Sequence, residues 1–175
     1  MSDKEEKKEN IMGTLGITRL IMKMSLPLMI SMLIQALYNI VDSMFVARVS
    51  ETALTAVSLA FPLQNLLIAF GVGTGVGMAS FLSRKLGEKD TESATKAAGN
   101  GITLAVITWI MFAILGLSIV KPFMALFTDD KELLELSTGY SEIVMILSFF
   151  MLLSMMNERI LQGTGDSFSS MLSQM

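Results

Sequence analysis

The sequence predicts an all-α integral membrane fold, and three observations predict it. Hydrophobic residues make up 52% of the 175, and the mean hydropathy of +0.60 exceeds what a soluble domain of this size carries. The charges crowd into the N-terminal arm and around positions 84–96 and 128–135, leaving long uncharged runs between them. Four apolar segments, at about 20–47, 53–82, 97–120 and 138–160, are each near or above the roughly 20 residues that a helix needs to cross a bilayer.

The arm Met1–Asn10 mixes Lys4, Lys7 and Lys8 with Asp3, Glu5, Glu6 and Glu9 and has no apolar residue after Met1. It is expected to be a disordered, solvated tail, with a transmembrane bundle occupying 11–175. The first segment holds the stretch Met24–Ala47, about 34 Å long as a helix. Within it Ser31, Gln35, Tyr38, Asn39 and Asp42 follow the i, i+3, i+4 spacing that selects one helical face. Lipid cannot satisfy such a stripe, so it should face other helices or a wet cavity. Asp42 lies roughly 9 Å inside Arg48, the outer anchor. Two readings stay open for it: an acid that snorkels to water, or a proton or cation site, the default for a carboxylate at membrane depth.

The second segment contains Pro62, then Gln64 and Asn65, then Gly71-Val72-Gly73-Thr74-Gly75-Val76-Gly77-Met78-Ala79. A dinucleotide loop is excluded because the G-x-G-x-x-G spacing fails and no phosphate-binding context follows. Gly71, Gly75 and Ala79 instead repeat every four residues, which lets a neighbouring helix approach closely. Pro62, like Pro27 in the first segment, is a place for a bend. The charged run Ser83–Asp90 reads as a polar turn, after which Thr91 begins a helix with Glu92 and Lys96 paired at i, i+4.

Trp109 sits in the middle of the third segment, where a packing or cavity-wall role fits better than an interfacial one. Lys121-Pro122 should stop that segment, with Phe123–Phe127 along the interface and Asp129 opening the next helix, Glu132 standing at capping-box spacing. The fourth segment has Glu142 near one end and Asn157, Glu158 and Arg159 near the other; the last two read as interface charges, and Asn157 as a cavity candidate. Leu161–Asp166 then supplies a helix stop, a glycine turn and an N-cap, so a fifth helix should start at Ser167. It would hold only about two turns before Met175, which points to a truncated protein.

Lys and Arg number ten on the side that includes both ends and three in the alternate loops, which places both ends in the cytoplasm of a multi-pass cell-membrane protein. The sequence has no Cys and no His. Disulfides, thiolate metal sites, cysteine nucleophiles and the usual general base at neutral pH are thereby removed, and no enzyme is expected. The sixteen methionines are scattered rather than grouped, which suits pliable core filling better than copper handling.

Tyr38-Asn39-Ile40-Val41-Asp42-Ser43-Met44-Phe45-Val46-Ala47-Arg48 resembles the first-helix motif of the multidrug and toxic compound extrusion (MATE) transporters. Ala53–Leu63 resembles the start of that family's second helix, Ser83–Asp90 its first cytoplasmic loop, and Leu161–Asp166 the glycine turn leading into its fifth helix. The resemblance implies twelve helices in two six-helix bundles, of which this chain would supply helices one to four and the entrance to the fifth. It implies antiport of organic, often cationic drugs, with Asp42 as the coupling residue for protons or sodium and Gln35 as the polar residue two turns earlier. A sodium site at Asp42 would be incomplete, because its partners would lie on helices five and six. Gln35, Tyr38, Asn39 and Asn157 would line the cavity. The expected partners are small-molecule drugs, membrane lipid and the missing C-terminal bundle, without nucleic acid and with no cofactor beyond the coupling ion.

Three other readings remain. A flippase for a lipid-linked saccharide would want basic residues inside the cavity, and the apolar cores hold none beyond Lys23 at an end. A four-helix protein dimerising around one acid per chain does not account for the unfinished fifth helix. A non-transporting scaffold would use the polar stripe only to join helices.

Overall fold

The computed structural model describes residues 16–174; the tail expected over 1–10 lies outside them. Five helices follow in order: α1 Ile17–Val49, α2 Glu51–Gly87, α3 Thr91–Met124, α4 Lys131–Gly163 and α5 Ser167–Gln174. The first four are 33 to 37 residues long, about 50 Å at the usual rise, so they span a bilayer with turns to spare. Pro27 and Pro62 sit inside unbroken helices.

Each turn ends with a side chain that accepts from the next helix's free amides. Ser50 accepts from the Ala53 amide at 2.9 Å, Asp90 from Ser93 at 3.1 Å, Asp130 from Glu132 at 2.9 Å and Asp166 from Ser169 at 3.0 Å. Three boundaries differ from the sequence reading. The helix expected to end before Ser83 continues to Gly87, because Arg84 and Lys85 pair with Glu88 across its last turn at 3.4 and 2.6 Å. Pro122 does not stop α3, which runs to Met124. Val120 and Met124 are fully buried against Ala60 there, and that packing outweighs one lost backbone hydrogen bond. The cap of α4 is Asp130 rather than Asp129. The Thr128 hydroxyl accepts from the Asp130 amide at 3.1 Å and sets the turn one residue later.

The core belongs to α2, α3 and α4, which pack mutually, while α1 touches chiefly α5 and α2. Small residues set the spacing. A Cβ on Gly71 would meet Leu152 at 2.8 Å, and one on Gly75 would meet the Arg159 stem at 2.8 Å. The four-residue repeat therefore does what its spacing predicts, and Ala79 completes it against Gly163. Trp109 Nε1 donates to the Ile146 carbonyl at 2.9 Å and its ring meets Phe149 edge-on, which joins α3 to α4.

Candidate functional site

The polar stripe of α1 splits into two parts. Leu20, Met24, Pro27 and Leu28 are half-buried and Ser31 is 3% exposed, its hydroxyl without a partner among the described residues. Beyond Ser31 the same face is bare: Gln35, Tyr38, Asn39 and Asp42 are all exposed. Asn39 also borders an open groove with Ser43, Ala47 and Leu54 of α2, and its carbonyl accepts from the Ser43 hydroxyl at 2.8 Å. Among the described residues no hydrogen bond or ion pair reaches the Asp42 carboxylate, and no three acidic, His or Cys side chains gather as a metal site.

A separate pocket of about 170 Å³ lies between α2 and α4, lined by Ala60, Leu63, Gln64, Leu67, Ile68, Ser141, Val144, Met145 and Met151. Pockets that enclose a drug-sized molecule run from about 300 Å³ upward, so this one holds a fragment of such a molecule at most. At its rim Gln64 Nε2 donates to the Tyr140 hydroxyl at 3.1 Å, and the Ser141 hydroxyl is buried with no partner among the described residues. Asn157 is exposed and, at 100° per residue, stands on the far side of α4 from Ser141 and Val144. The structure thus groups Gln35, Tyr38, Asn39 and Asp42 on one helix and leaves Asn157 apart from them.

Sequence reasoning did not single out Tyr140 or Ser141. Gln64 carried a usable signal, a polar side chain in mid-span, yet its partner is 76 residues away and no spacing rule reaches it. At the opposite end of α4, Arg159 and Glu158 both bond to Gln162.

The region of the chain that holds these features, residues 27–174, matches the MatE family model. The chain belongs to the MatE family. It is 30% identical over 142 residues to the probable multidrug resistance protein YoeA of Bacillus subtilis, a match covering 81% of the chain and 31% of that relative. It is 26% identical to the multidrug export protein MepA of Staphylococcus haemolyticus, covering 90% and 35% respectively. Among solved structures it superimposes with a TM-score of 0.90 and 28% identity on a MOP superfamily transporter from Pyrococcus furiosus, over 98% of the chain and 38% of that protein. That structure is described as having a binding pocket of reverse polarity that suggests a different function. The chain spans about a third of the length of these relatives. As a MatE-family chain with four candidate membrane spans, it is a multi-pass membrane protein.

Proposed function

We propose that this MatE chain forms the first third of a multidrug efflux antiporter that exports organic, often cationic compounds against an inward flow of protons or sodium. The observation behind the proposal is the bare half of the α1 stripe: Gln35, Tyr38, Asn39 and Asp42 lie together within a membrane span and outside the α2–α4 core. A carboxylate kept at that depth is costly to the fold and is retained where it handles charge. Asp42 takes up a proton or a sodium ion and gives it up when the cavity opens to the other face; Gln35, Tyr38 and Asn39 orient it and the cargo. The remaining sodium ligands and the second bundle come from outside these 175 residues. The names of the relatives, a probable multidrug resistance protein and a multidrug export protein, support multidrug efflux. The excess of Lys and Arg around the 88–90 turn and the start of α1 supports a cytoplasmic N-terminus.

The test is ion-driven efflux of a cationic dye from vesicles containing the full-length protein, under a proton gradient and then a sodium gradient. The intact protein should respond to at least one gradient, and Asp42→Asn should abolish the response. An Asp42→Asn protein that still pumps would remove Asp42 from the mechanism. A preference for anionic over cationic cargo would overturn the cationic part of the reading.

A further inference from the structure

At the end of α4 three polar side chains converge on one amide. Arg159 Nη1 donates to Gln162 Oε1 at 2.7 Å, while Gln162 Nε2 donates to Glu158 Oε1 at 2.8 Å and to the Ser170 hydroxyl of α5 at 3.0 Å. Arg159 and Glu158 are neighbours in sequence, so their side chains leave the helix 100° apart and do not face each other. Gln162, three residues beyond one and four beyond the other, reaches both. Only a neutral amide offers an acceptor to a guanidinium and two donors to a carboxylate and a hydroxyl at once. The surrounding partners also fix which end of the amide is oxygen, since the reverse orientation would aim N–H groups at Arg159.

This clasp is anchored on both sides. The Arg159 stem fills the groove over Gly75 of α2, and the Ser83 hydroxyl of α2 lies 2.9 Å from the Gly163 carbonyl, within reach to donate to it. Beyond it the chain turns through Gly165, whose φ of 90° is the left-handed region that suits glycine. α5 then runs against α1, with Ser167 and Ser170 buried. Such a turn fixes direction only if something beyond it is held, and the bond from Gln162 to Ser170 is the side-chain hydrogen bond that joins α4 to α5 across it.

We propose that Gln162 is a positioning residue: its amide ties α5 to α4 and thereby keeps α5 against the half of α1 that precedes the Asp42 stripe. This rests on the reading of Asp42 as the coupling residue only for its effect on transport; the placement of α5 is independent of it. The test uses the full-length protein in lipid nanodiscs, any cysteine outside these 175 residues replaced, with spin labels at Ile21→Cys on α1 and Leu172→Cys on α5, both exposed positions. Gln162→Leu should broaden the α1–α5 distance distribution and lower ion-driven efflux about fivefold, the change expected from losing the neutral hydrogen bond to Ser170 that ties α5. The exchanged pair Glu158→Gln with Gln162→Glu restores an amide facing a carboxylate and should recover both the narrow distance and the efflux. Where Gln162→Leu does not fold, Ser170→Ala removes only the tie to α5 and should broaden the same distance. A narrow distance in Gln162→Leu or Ser170→Ala, or an exchanged pair that recovers nothing, overturns the proposal. A narrow distance in the unmodified protein, broadened by Ser170→Ala but accompanied by no ion-driven efflux, would instead sink the antiporter reading and leave the clasp standing.

Discussion

The most apolar 18-residue stretches of α2 and α1 are nearly alike in hydropathy, yet 28% of the first and 6% of the second is buried within the structure. α3 and α4 side with α2, at 22% and 28%. Apolar composition therefore qualifies a helix for the membrane without saying what it packs against. What separates the two regions is small residues facing large ones. α2, α3 and α4 interlock through Gly71, Gly75, Gly101, Gly116 and Gly163, each against a specific side chain on a neighbour. α1 holds no glycine, and Gly16, which precedes it, has nothing within contact distance. The three-helix core is a frame, and α1 is a helix whose polar face is left for other work.

The sharpest way to break that contrast is to spoil the frame. A Cβ on Gly116 would stand 2.8 Å from the Met145 Cβ, an atom that cannot swing aside. Gly116→Ala should therefore destabilise the bundle by about 1–3 kcal/mol, whereas Gly77→Ala, on an open face of the same core, should be neutral or slightly stabilising. Thermal unfolding in detergent reads both, and equal effects would erase the distinction between packed and open glycines. Next in size is Trp109→Phe, which removes the bond to the Ile146 carbonyl while keeping most of the ring's packing. A loss of about 1 kcal/mol is expected on the same assay, and no loss would show that α3 and α4 are held by packing alone.

The smallest effect concerns the 88–90 turn that joins two frame helices. The Lys85 ammonium holds the Glu88 carboxyl below its ordinary value of 4.5. The Ser93 hydroxyl and amide do the same for Asp90. Both folded values are depressed, so the stabilisation is complete above the unfolded carboxylate range and fades as pH falls through the folded values. Both groups are solvent-exposed, which keeps the effect small. Amide exchange in the turn should quicken only below the ordinary carboxylate range, and the α1 stripe should show no matching change through these two groups. Exchange that quickens on raising the pH, beyond the intrinsic chemical rate, would contradict this sign.

Much of the frame was legible in the sequence because its signals are local. Four long apolar runs, the Asp166 cap and the four-residue repeat of Gly71, Gly75 and Ala79 each declare themselves within a few positions. Gly101 and Gly116 were not legible, since each matches methionines on other helices and follows no repeat. The Asp130 cap was missed because Thr128 decides between two adjacent aspartates. Of the candidate site, the shared face of Gln35, Tyr38, Asn39 and Asp42 follows from helical period alone. Its bareness, and the burial of Ser31 on the same face, depend on what lies alongside α1, which one helix's sequence cannot declare.

The division of labour between frame and stripe is tested most directly by one preparation of Asp42→Asn, assayed for both thermal unfolding and ion-driven efflux. Neutralising a carboxylate that is costly at membrane depth and has no partner among the described residues should leave stability unchanged or slightly raised while efflux is lost. A protein that unfolds markedly earlier, with efflux falling only in proportion, would make Asp42 part of the frame and contradict the account.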